Sequence, residues 1–307
     1  GLGKWGESHA VRYQDYNNKQ KVFSWITDLY SRTFKKVPLM INYHRLVGDT
    51  LSWAAPNLQS KQMLEEAIAK GYSIRHDAFG MTGYYMDWEK DFAKEWFFRR
   101  PIVFEGGWIT KAHHRYWIDP CGKYREGHSE DVRKGEYEIA GETHVNMMDL
   151  RINDETRSWF GKCFDLVKRF TREGGYRLYP VEVVCLLYTS VEVVAPDKAS
   201  KDGMISIRHR WRNLGWGYCP TNIPQWNQKY KVCFSLAKGD GQVVKKFVIE
   251  DSDLSKWIKG NDGEYTSTLC LQGIPKGTYT WRVALVDTTK QNEPGIVMAV
   301  DKTHQKQ

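Results

Sequence analysis

Apolar and polar positions follow two different periods along this chain. Up to about residue 175, short apolar runs alternate with stretches whose apolar residues recur at helical spacing. The strand-like runs are GLGKWGESH at 1–9, VPLMINYH at 37–44, YSIRHDA at 72–78, PIVFEGGW at 101–108 and THVNMMDL at 143–150. Between them the spacing predicts helices over 15–34, 58–70, 87–100, 129–140 and 154–172. The first carries Val22, Phe23, Ile26, Leu29 and Tyr30 on one face, and the second is closed by Gly71. The third stops at Pro101 and the last runs into Gly174 and Gly175. Strands alternating with helices in this way predict parallel βα units. Each apolar run ends in polar residues, as the strands of a (β/α)8 TIM barrel do at the end that carries the active site. A doubly wound open sheet is the alternative. It would place a glycine-rich phosphate loop after a strand, and the sequence has none.

After Gly175 the helical period stops. MISIRHRWRN, YKVCFSLAKGDGQVVKKFVIE and GTYTWRVALVD alternate apolar with polar residues and are separated by Gly, Asn, Asp and Pro. GDGQ is a hairpin signal. The expected architecture is therefore a partial barrel over 1–175, followed by an antiparallel Ig-like β-sandwich over 176–307.

Composition narrows the function classes. No apolar run is long enough to span a membrane. The net charge is +8, but Lys and Arg are dispersed without a block, so a solvated basic surface is preferred to a nucleic-acid footprint. The 13 Trp and 17 Tyr change the picture more, because aromatic faces line grooves for sugars as well as for bases. Six cysteines stand singly, without zinc spacing. His113 and His114 lack a carboxylate at ligand spacing, no GxSxG elbow is present, and no metal or other cofactor is called for.

The candidate chemistry lies in two carboxylates, Glu7 and Glu105. Each ends a strand-like run beside Gly and Trp, in WGE and FEGGW. Cleaving a glycosidic bond needs a proton for the leaving oxygen and a second carboxylate for the positive charge on the sugar. Two strand-end glutamates facing one pocket supply both; taken singly, each is better read as a solvated surface residue. Arg75 and Asp77 are two apart on a strand and share a face, either as an ion pair or as sugar ligands, with His76 between them. Trp5, His9, Tyr43, His44, Trp108 and Asn146 complete the candidate substrate site, with core packing as the alternative for the aromatic ones.

Taken in order, WGE, NYH, RHDAFG, FEGG and HVNMMDLR resemble the fourth to eighth strands of a clan A glycoside-hydrolase barrel. The second half is similar to an uncharacterised bacterial domain family that follows such barrels, through ISIRHRWRNLGWGYCP, YKVCFSLAKGDGQVV and LQGIPKGTYTWRVALVD. The resemblance implies a retaining glycosidase with Glu7 as general acid/base and Glu105 as nucleophile. It also implies a carbohydrate substrate, no nucleic-acid partner, and a secreted, periplasmic or cell-surface location. Gly6 stands where the clan usually has Asn, which favours the alternative of a non-catalytic carbohydrate-binding or surface protein. Three βα units would precede such a chain, so it is expected to be a fragment of a longer product.

VEVVCLLYTSVEVV, at 181–194, repeats one tetrapeptide around an apolar hexapeptide. A hairpin is disfavoured, because CLLYTS has no Gly, Asn, Asp or Pro to turn on. CLLYTS is also the translation of TGT CTC TTA TAC ACA TCT, the adaptor end of transposase-based sequencing libraries. Residues 185–194 are therefore expected to be an assembly scar and not natural sequence.

Overall fold

The computed structural model describes residues 19–43, 58–77, 85, 87–105, 139–149, 176–179, 182–185 and 188–298. The chain divides into two compact units, Gly1–Cys185 with Asn222–Trp226, and Leu186–Thr221 with Asn227–Gln307.

The first unit contains helices α1 (Lys19–Thr33), α2 (Leu58–Ala69) and α3 (Asp87–Glu95). Its sheet contains β1 (Leu39–Asn42), β2 (Tyr72–His76), β3 (Ile102–Glu105), β4 (Met147–Asp149), β5 (Tyr176–Tyr179) and β6 (Glu182–Cys185). The strand order is β1-β2-β3-β4-β6-β5. The first four strands are parallel, while β6 runs antiparallel to both β4 and β5.

Helix α2 buries Met63, Leu64, Ala67 and Ile68, a stripe at helical spacing. It ends at Gly71, whose φ of +95° suits a left-handed helix terminus, with the Gly71 amide donating to the Ile68 carbonyl. Lys70 ties α2 to α1: its ammonium donates to Thr27 Oγ1 at 2.9 Å and to Ser24 Oγ at 3.1 Å, and it pairs with Glu66 at 2.6 Å.

The second unit contains two antiparallel sheets. One has the order β11-β8-β7 and the other β10-β9-β12-β13. Their strands are β7 (Tyr188–Val194), β8 (Met204–Asn213), β9 (Tyr230–Ala237), β10 (Val243–Ile249), β11 (Gly263–Cys270), β12 (Thr280–Asp287) and β13 (Glu293–Ile296). Strict alternation in MISIRHRWRN sends Ile205, Ile207, His209 and Trp211 inward and the arginines outward. Both sheets contribute to one core, in which Ile207 and Trp211 from one meet Val232, Phe234 and Leu285 from the other. At GDGQ the chain turns on Gly241, φ +92°, and the Gln242 amide donates to Asp240 Oδ1 at 2.9 Å.

These observations correct the expected fold. The described residues are mostly sheet with few helices, and a partial (β/α)8 barrel followed by an Ig-like sandwich is not supported. Beyond β4 the first sheet continues with two antiparallel strands, where a barrel requires further parallel βα units. Alternating strand and helix patterns specify parallel pairing but not closure, which depends on how later strands pair. The expected strand at 1–9 and helix at 154–172 lie outside the described residues, as does nearly all of the expected helix at 129–140. The two VEVV copies do not form a hairpin with each other. Most of the first copy is in β6, in the six-stranded sheet, while the second ends β7, which pairs with β8.

Candidate functional site

The parallel register decides which side chains meet. Asn42 is paired with Arg75, Arg75 with Val103, and Glu105 with Asp149. Side chains alternate along a strand, so Asn42, Arg75 and Glu105 share one face at the carboxyl ends of β1, β2 and β3. Asp77, two residues after Arg75, continues that face. One nitrogen of the Arg75 guanidinium donates to Asp77 Oδ1 and the other to Glu105 Oε2. The planar fork of arginine suits two acceptors in this way. The Asp77 and Glu105 side chains are only 15% and 14% exposed, so the pairs are partly withdrawn from water. Burial opposes ionisation of Asp77. The Arg75 charge and hydrogen bond, with Asn42 and His76, outweigh it and hold the carboxyl below its usual range.

His76 faces the other way. Its ring is fully buried between Tyr43 and Tyr85, with ring centroids at 4.9 and 4.7 Å in edge-to-face contact. Its Nε2 lies 2.9 Å from Oε1 of Glu89, which is also fully buried. Glu89 occupies the inward stripe of α3 with Phe92 and Ala93. The Tyr43 and Tyr85 hydroxyls are 3.4 Å apart. Burial first, then each other and Glu89, keep the Tyr43 phenol far above its ordinary range and therefore neutral.

The sequence candidates thus separate. Arg75, Asp77 and Glu105 come together on one face of the sheet. Tyr43 and His76 belong to the buried cluster behind it. Asn146 sits at the opposite strand end, where its Oδ1 accepts from the Ile102 amide at 3.2 Å and its own amide donates to the Ile102 carbonyl at 2.9 Å. It steadies the start of β3 and does not approach the carboxylates at the other end. Trp5, Glu7, His9, His44 and Trp108 lie outside the described residues. Sequence reasoning named Asn42 only as part of the strand-end NYH and passed over Glu89. For Glu89 a signal existed, because it falls at i where Phe92 and Ala93 stand at i+3 and i+4.

The second unit holds a buried serine–histidine contact, but its hydrogen bonds run against catalysis. Trp211 Nε1 donates to His209 Nδ1 at 2.7 Å, so the neutral ring carries its proton on Nε2, 3.0 Å from Ser267 Oγ. Ser267 is the acceptor, and His209 has no free lone pair with which to take its proton. Among the described residues, no three of His, Cys, Asp and Glu group to hold a metal ion, and no helix is long and apolar enough to cross a membrane.

Compared with protein-family models, curated proteins and solved structures, the chain matches none.

Proposed function

We propose that this chain hydrolyses glycosidic bonds in a polysaccharide or oligosaccharide with retention of configuration. The observation that carries this is the placement of Glu105 at the carboxyl end of β3, mostly buried and paired with Arg75. A nucleophilic carboxylate must be ionised, and a neighbouring guanidinium favours that form. Glu105 attacks the anomeric carbon as the glycosidic C–O bond breaks, and Glu7 gives its proton to the departing oxygen. Water then cleaves the glycosyl ester, returning a proton to Glu7 and freeing Glu105. Asp77 and Asn42, on the same face, are placed to bind sugar hydroxyls.

A panel of chromogenic glycosides tests this, with wild type beside Glu105→Gln. Hydrolysis by the wild type that is lost in the variant supports the assignment, and equal hydrolysis by both removes Glu105 from the chemistry. NMR of the first-formed anomer separates retention from inversion. A second reading is favoured by the same guanidinium. Arg75 already pairs with both carboxylates, so the cluster is complete without a reaction, as suits a carbohydrate-binding protein. Glycan binding without hydrolysis of any substrate in the panel is its signature.

A further inference from the structure

We infer that Glu89 and His76 form a positioning pair that sets the placement and charge of the Arg75–Asp77–Glu105 cluster through strand β2. His76 lies between Arg75 and Asp77 in sequence, and its side chain passes through to the opposite face of the sheet. There it is fixed on three sides: Nε2 by Glu89, and the two ring faces or edges by Tyr43 and Tyr85. Tyr43 comes from the end of β1, Tyr85 from just before α3, and Glu89 from α3 itself. The end of β2 is thereby fastened to two other elements at the residue that separates the two cluster members. The Tyr43 amide also donates to the Arg75 carbonyl at 3.0 Å, a further tie at the same point.

A stability role alone does not account for the pair. Burying a carboxylate and an imidazole together rarely gains over packing apolar groups of the same shape, because both lose their hydration. The surroundings here are aromatic and would accept such groups. The cost is understandable if the pair acts on what lies next to it. Positive charge on His76, one residue from Asp77, favours the ionised form of that carboxyl in the same sense as Arg75. Among the described residues, Tyr43, Tyr85 and Glu89 face the His76 ring, with Asp77 adjacent along the strand. Burial holds both tyrosines neutral, and Glu89 places its carboxyl against the ring nitrogen.

The inference rests on the proposed sugar chemistry only for its purpose, since its test reads the cluster directly. The Asp77 carboxyl is titrated by 13C NMR in the full chain, in wild type, in the double variant His76→Phe/Glu89→Met and in Glu89→Gln. The double variant fills the same space with apolar groups, and Glu89→Gln keeps the acceptor oxygen while removing the charge. The Asp77 midpoint is expected to rise in the double variant, which removes the imidazole, and to shift by about half a unit or more in Glu89→Gln, each being folded as judged by near-ultraviolet circular dichroism. A midpoint unchanged from wild type in either folded variant overturns the inference. The two variants perturb packing in different ways, and Glu89→Gln changes no volume, so it decides the matter if the double variant does not fold. Because this titration needs no substrate, its failure leaves the hydrolysis proposal standing, and failure to find hydrolysis leaves the titration result standing.

Discussion

Glu105 on β3 is paired with Arg75 on β2, and the same guanidinium holds Asp77 on its other side. One cation therefore serves two partly buried carboxylates. Each would lose that cation if it were removed.

Replacing Arg75 by Gln is expected to lower stability at neutral pH by about 1–3 kcal/mol, the scale for losing hydrogen bonds to charged groups. The pH dependence gives the sign. Asp77 titrates below its ordinary value in the folded chain, so its stabilisation is present above that ordinary value, near pH 4. It is lost as pH falls through the folded value. Urea unfolding of wild type and Arg75→Gln should therefore differ at pH 7 and converge under acid. Arg75→Lys is expected to recover only part of the difference, because an ammonium lacks the fork that reaches both acceptors.

If Glu105 is the nucleophile, Glu105→Gln should reduce kcat on an active glycoside by about 10²–10⁴-fold, the range for a positioned catalytic group. In Glu105→Gly, azide can enter the vacated space and attack the anomeric carbon as the aglycone leaves. The expected product is a glycosyl azide of the anomeric configuration opposite to that of the normal sugar product, identified by NMR.

His209 in the second unit predicts an acid-sensitive core. Burial pushes its imidazole down to about 4, against the opposing charge of Asp251. The unfolded chain takes up a proton near pH 6.5, while the folded chain resists until about 4. Stability of this unit is thus complete above pH 6.5 and falls between those values, by up to about 3 kcal/mol. His209→Gln should flatten that slope, as read from denaturant midpoints at pH 7.5, 5.5 and 4.5. An equal slope in the variant would show that another group is responsible.

Gly263 opens β11 against the indole of Trp257, and a Cβ there would overlap the ring. Trp257 has no room to retreat, being fully buried and stacked on Trp211. Gly263→Ala should destabilise the second unit by about 1–3 kcal/mol, the usual result of forcing extra volume into a packed core. A thermal midpoint equal to wild type would contradict this.

The sequence was informative where a property depends on neighbours along the chain. The i, i+2 spacing of Arg75 and Asp77 placed them on one face, and the alternation in MISIRHRWRN named the inward residues of β8. It was silent where a property depends on pairing. Nothing near Arg75 announces Glu105, which reaches it only because β2 and β3 are parallel in one register. Asn146 looked like a strand-end ligand, yet it stands at the beginning of its strand, because β4 starts later than its apolar run. The barrel expectation failed for the same reason. Units of strand and helix look alike whether a sheet closes or is continued by antiparallel strands such as β6 and β5. VEVV is the plainest case, since most of one copy joins one sheet and the other copy joins another.

Trp211 and Trp257 lie with ring centroids 5.4 Å apart and planes 6° from parallel. Two indoles held this close and this rigidly couple their electronic transitions. Where their in-plane transition dipoles are turned relative to one another, that coupling gives a paired positive and negative band in the circular dichroism spectrum. That couplet vanishes as soon as the two rings separate, and it reports packing between β8 and the turn before β11 without any added label.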